Sequence, residues 1–225
     1  MKALEFERLK YILFGAGLLC FALAGVLSAV LPVTHLSRIP YRSLEEVVRA
    51  PSDEWLDLAR RYPESMKKHY GEAGAATYRE ALRRGRDRYI AEACWHCHSQ
   101  FIRPVSNEDV RWGKISYASE YMNEMFLPHL FGTRRVGPDL IREAGRHSND
   151  WHAAHFFDPT IVAPTSVMPR YTWLYEGEPG HEVPNKDGLA LIAYVQWLGS
   201  WATRDALANE AVAANPQPAK PEVKP

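Results

Sequence analysis

The chain has 225 residues, with 27 basic and 27 acidic side chains and a formal net charge of zero. That length allows one domain of ordinary size plus attachments. The balanced charge argues against a nucleic-acid partner, which wants a basic excess.

The first ten residues carry Lys2, Arg8 and Lys10. From Tyr11 to Leu31 there is no charged side chain, YILFGAGLLCFALAGVLSAVL. At ~1.5 Å rise per residue such a run spans roughly 31 Å, about the thickness of a bilayer core. Signal-peptide apolar regions are shorter, roughly 7 to 15 residues. Residues 11–33 are therefore expected to form a retained transmembrane anchor in membrane lipid. Arg38, Arg42 and Arg49 follow it, so flanking charge gives almost a tie on orientation. Cys20 fits as a small apolar side chain within the span. Gly15, Gly17 and Gly25 can either mark a face for a partner helix or be ordinary span glycines.

Residues 34–74 are expected to be a helical, water-exposed connector. Ser43 and Glu46 form a capping-box pattern ahead of Val47 and Val48. Pro51 and Ser52 punctuate, Trp55, Leu56 and Leu58 follow, and Pro63, Gly71 and Gly74 mark further breaks. From Ala75 a helix can run to Ala93. A second helix is expected over Leu189–Trp201, with Leu189, Ile192, Ala193, Gln196 and Trp197 at helical spacing. Gly85 and Tyr89 against Tyr194 and Trp197 suit a crossing of the two. Between them, residues 99–188 are rich in proline, glycine and turn pairs.

The first helix delivers Cys94-Trp95-His96-Cys97-His98. Two cysteines two residues apart, followed at once by histidine, read as a c-type haem attachment site. The two thiols add to the vinyl groups on one edge of the porphyrin, and His98 gives a nitrogen to the iron. A zinc site needs a second ligand pair, and the third cysteine, Cys20, lies far upstream. No βαβ pattern supports a thioredoxin-like pair. With two cysteines on haem, no disulfide framework remains. Haem of this kind is normally attached outside the cytoplasmic membrane, which puts residues 1–10 in the cytoplasm and the chain after the anchor in the periplasm.

The fold expected is mainly α: one transmembrane helix, then a class I-like cytochrome c domain over 75–204 with long irregular loops ordered by haem. Gly137-Pro138-Asp139-Leu140 is like the loop that follows the proximal ligand in many cytochromes c, and Arg134 and Arg135 before it can either approach the haem propionates or face solvent. For the sixth ligand Met168 is the best candidate, on the proline-flanked run Pro164-Thr165-Ser166-Val167-Met168-Pro169. Met122 and Met125 are rivals, and His147, His152 or His155 would make the iron bis-histidine. An iron left open would point instead to a gas sensor or peroxidase. His96 and Gln100 are candidates for hydrogen bonds beside the haem, or plain exposed polar residues. The segment 205–225 is Ala/Pro-rich, with no large apolar face, and reads as a tail, either disordered or ordered along a partner.

The blocks CWHCHSQFIRP, RWGKISYASE, GTRRVGPDL and GRHSNDWHAAHFFDPTIVAPTSVMPRYTWL resemble the mono-haem subunit of cbb3-type cytochrome c oxidases (subunit II, the CcoO/FixO family), over roughly Gly85 to Leu174. The resemblance implies haem on Cys94 and Cys97 with His98 and Met168 as axial ligands. It implies electron relay from a dihaem cytochrome c subunit or soluble cytochrome c to the b-type haem of a multi-span haem–copper catalytic subunit, in the bacterial cytoplasmic (inner) membrane. Oxygen reduction would occur in that other chain. It also implies a calcium ion near the subunit interface, in the region of Ser116 and Glu120, without fixing its ligands. The stretch Ile115–Leu130 departs from the family pattern, which keeps a nitric oxide-reducing complex open. A free-standing, membrane-anchored cytochrome c carrier is the further alternative.

Overall fold

A computed structural model describes residues 3–200, and the chain divides into two compact units, with the boundary in sequence between Tyr41 and Arg42. The expected tail, 205–225, and the last residue of the expected second helix, Trp201, lie outside the described residues.

The first unit is helical from end to end. Helix α1 runs Ala3–Gly25, continues through a π-helical turn, Val26–Val30, and passes into α2, Leu31–Leu36. The stretch Arg8–Leu36 is the one helix among the described residues long and apolar enough to cross a membrane. Its large apolar side chains, such as Phe14, Phe21 and Leu27, are all exposed. The hydroxyls of Ser28 and Thr34 donate to the carbonyls of Ala24 and Leu31, so neither needs water, as a span requires.

The second unit carries the α-helices α3 Leu44–Val47, α4 Asp53–Arg61, α5 Pro63–His69, α6 Ala75–Ala91, α7 Cys94–Cys97, α8 Glu108–Trp112, α9 Asn149–Phe157 and α10 Lys186–Trp197, with short 3-10 turns between α8 and α10. A two-residue hairpin pairs Tyr175–Glu176 with Val183–Pro184. The capping box at Ser43 forms: its backbone N–H donates to Glu46 Oε2 at 2.6 Å, and its Oγ accepts from the Glu46 N–H at 3.3 Å. Ser52 caps α4, and Pro63 opens α5 at its first turn, where a missing N–H costs nothing.

The two long helices cross as expected. A Cβ added to Gly85 would lie 2.0 Å from the Ala190 carbonyl oxygen and 2.6 Å from Tyr194 Cβ, so only glycine permits this approach. Tyr89 meets Tyr194 edge-on, with ring centroids 5.5 Å apart. Helix α10 begins earlier than expected because Asn185 caps it through the N–H groups of Asp187 and Gly188. It stops at Trp197, short of the expected end, with Gly199 in the left-handed region at φ +90.

The water-exposed connector expected over 34–74 is not what the second unit contains. Leu44, Trp55, Leu58, Met66 and Tyr70 are buried in the same core as α6 and α10. Trp55 sits against Tyr70 and Tyr78 at 5.4 and 5.5 Å. The segment's charged side chains stay out of the core, and Glu45 pairs with Arg83 of α6. A balanced charge count over such helices hides a narrow apolar stripe.

Candidate functional site

The motif Cys94–Cys97 forms a single helical turn, opened by Ala93 in the left-handed region at φ 58. Residues three apart on a turn face the same side, which places the two thiols together. Cys94 is half-buried and Cys97 exposed, and both are free. The chain leaves the turn extended at His98.

The loop 134–140 is laced to the motif by backbone. The N–H groups of Arg134, Gly137 and Leu140 donate to the carbonyls of His96, Cys97 and Ser99 at 3.2, 3.0 and 2.8 Å. A Cβ on Gly137 would lie 2.3 Å from His98 Cε1, so the loop embraces the imidazole only as glycine. His98 Nδ1 donates to the Pro138 carbonyl at 2.9 Å, which fixes the ring and leaves Nε2 unprotonated as a metal ligand. Burial pushes the His98 pKa below its ordinary value, against the opposing pull of the Pro138 carbonyl, so the ring is neutral.

His98 opens onto a mostly apolar cleft that Cys94, Pro138, Leu140 and Met168 also line. Helices α6 and α10 supply its floor through Tyr89, Leu191 and Val195. The far wall is the turn before α9 and α9 itself: Glu143, His147, Trp151, His152, His155 and Phe156. Two thiols on one turn, a neutral imidazole with a free Nε2, a thioether and apolar walls fit a covalently held haem.

The structure brings Cys94, His98, Pro138 and Met168 to this cleft and leaves Cys97 outside its lining, next in chain to His98. Arg134 and Arg135 are not brought to it. They line a separate polar cleft with Ser99, Phe101 and Arg103. Arg135 is held there by Ser99 Oγ at 2.5 Å, the Phe101 carbonyl at 2.9 Å and Glu108 at 2.9 Å, so its guanidinium braces the motif from behind. Asp139, 1% exposed, accepts from Ser99 Oγ and from the N–H groups of Phe101 and Ile141; burial raises its pKa against those bonds. Burial would also raise the Glu108 carboxyl, but Arg135 and Arg103 pull it down to about 2.

Among the rival ligands, Met125 is buried in the core and neither it nor Met122 lines the cleft. His147, His152 and His155 all do. Trp151 stacks between two of them, 3.8 Å from His147 and 4.5 Å from His155. His152 Nε2 and His155 Nδ1 have no hydrogen-bond partner among the described residues. Burial pushes these two imidazoles down to about 3 and about 4, with neighbouring histidines adding to the shift. Of the flanking residues, Gln100 is fully buried and donates to Tyr194 at 3.1 Å, tying the motif to α10. His96 stacks on Trp95 and meets Thr133 Oγ1 at 3.2 Å. In the region considered for calcium, the Glu120 carboxylate takes a two-pronged ion pair from Arg142 at 2.6 and 2.7 Å, and Ser116 Oγ accepts from the Ile102 N–H.

The cleft residues that composition and motif spacing did not single out are Glu143, Trp151, Phe156, Leu191 and Val195. For Trp151 and Phe156 the signal was the capped start of α9, where Ser148 accepts from the Trp151 N–H. No curated protein matches the chain. A family model described as cytochrome C oxidase, mono-heme subunit/FixO matches residues 64–186, more than half of the length. With a turn built for two thioethers, an oriented histidine and one apolar helix able to span a membrane, the chain belongs to the FixO family of mono-haem cytochrome c oxidase subunits.

Proposed function

We propose that this subunit carries one covalent c-type haem and relays electrons within a membrane oxidase, with no bond chemistry of its own. Haem supplies reversible one-electron transfer when bound. Cys94 and Cys97 hold it by thioethers, and His98 and Met168 are its axial ligands. Pro138 aims His98 through its carbonyl, and the apolar cleft keeps water from the iron. Thioether ligation and burial both favour the reduced state. The observation that carries this reading is the convergence of His98 and Met168 on one apolar cleft beside Cys94.

Residues 11–33 hold the chain in the bacterial cytoplasmic membrane, with residues 1–10 in the cytoplasm and the haem body in the periplasm. The acceptor is the b-type haem of a multi-span haem–copper subunit, and the donor is a dihaem subunit or a soluble cytochrome c. Purification of the full-length chain in mild detergent, with partner masses and haem spectra, tests this. A co-purifying subunit with b-type haems and copper is expected. B-type haems with non-haem iron would reassign the complex to nitric oxide reduction. A lone chain with one c-type haem would make it a free-standing carrier.

A further inference from the structure

Glu143, His147 and His152 bring three metal-ligating atoms within 4.8 Å of one another. Two lie on either side of the bend before α9, and the third is in the first turn of α9. Glu143 and His152 are 3% and 2% exposed. His147 Nδ1 is 2.5 Å from Glu143 Oε1, and His152 Nε2 is 3.8 Å from the same oxygen. We propose that these three side chains form a binding site for a divalent transition-metal ion of the zinc type, set in the wall of the cleft.

Two imidazoles and one carboxylate are a donor set that holds zinc with a fourth position open. Ligands about 2.0–2.2 Å from a tetrahedral ion stand roughly 3.3–3.6 Å from each other. The two separations to Glu143, 2.5 and 3.8 Å, straddle that range, and all three donor atoms lie within 4.8 Å of one another, so closing on an ion calls for side-chain adjustment and no refolding. As a plain ion pair the cluster is incomplete. His147 and Glu143 satisfy each other, while the buried His152 Nε2 is left without a partner. Such a buried orphan is unfavourable, and a shared ion removes it.

The surroundings hold the donors in place. Trp151 stacks on His147 and stands edge-on to His152 with centroids 5.3 Å apart. Gln196 on α10 donates to the His147 carbonyl at 2.9 Å, and so anchors the bend. The His147 side chain is 38% exposed, which gives an ion access from solvent. Among the described residues the other close histidine–carboxylate pair, His69 with Glu176, differs: Lys68 completes it at 2.7 Å as an ordinary salt bridge.

The test is calorimetric titration of the full-length, haem-loaded protein with Zn²⁺ after chelator treatment. One zinc per chain is expected. Affinity should fall at least about tenfold in each of Glu143→Gln, His147→Gln and His152→Gln, and be unchanged in His69→Gln. The haem absorption spectrum of each variant verifies folding and haem attachment independently of zinc, and His147→Gln alters the most exposed of the three ligands. Absence of saturable binding to the haem-loaded protein would overturn the site. So would binding that survives the exchange of His147 and Glu143, which would assign the ion to other residues.

Discussion

The two walls of the cleft differ in how far the polypeptide alone completes them. On the His98 side, Nδ1 has the Pro138 carbonyl, Ser99 has Asp139, Asp139 has two backbone N–H groups, and Arg135 closes the set against Glu108. On the Met168 side the thioether sits on a loop where Val167 is 81% exposed, and two histidine nitrogens lack a hydrogen-bond partner among the described residues. A satisfied polar network rigidifies, whereas an unsatisfied one carries a cost until something binds. The first wall is preorganised to hold an imidazole at one angle. The second is finished only when its occupants arrive.

Substitutions on each wall should therefore behave differently. The largest effect is expected for Gly137→Ala, which drives a methyl group into the His98 ring; a loss of about 3 kcal/mol and a disturbed iron spectrum are expected in denaturant melts and absorption. Next comes Glu108→Gln, on the order of 2 kcal/mol at neutral pH. Because its folded pKa is depressed, the Glu108 contribution is full above about pH 4.3 and fades as pH falls toward 2. Acid melts of the natural protein should show that decline, and the variant should lack this component. On the other wall, Met168→Leu keeps volume and should cost less than about 1.5 kcal/mol. It should instead remove the thioether-to-iron charge-transfer band and lower the midpoint potential. If that band persists, Met168 is not the ligand, and the histidines beside it become the candidates. Smallest is His155→Leu, which deletes an unpartnered nitrogen and should shift stability by less than about 1 kcal/mol. A large loss there would mean that the second wall is as organised as the first.

The single turn of Cys94–Cys97 with its following histidine, the long apolar helix and the helix crossing at Gly85 were legible because each depends on residue type at short spacing. Cys94, Cys97 and His98 need only one turn, and Gly85 announces a close approach. The placement of Arg135 was not legible. Its partners, Glu108 and Asp139, lie at different distances along the chain, and a propionate would attract a guanidinium as well as they do. The burial of Trp55 and Tyr70 was missed for a similar reason. Helix α4 is charged at most positions, and its buried Trp55 and Leu58 are too few to outweigh them until α10 is folded opposite. The hydrogen-bonded orientation of His98 could be read only as far as the Gly137-Pro138 pair suggested a loop nearby.

Trp55 and its neighbours also decide where this protein can be cut. A water-soluble version for voltammetry or nuclear magnetic resonance is naturally started at the helix that delivers the attachment motif, just after Gly74. That choice discards Leu44, Trp55, Leu58, Met66 and Tyr70 and bares the faces of Tyr78 and α10 that they cover. The compact unit starts at Arg42, and a fragment begun there keeps every one of those side chains while leaving the long apolar helix behind.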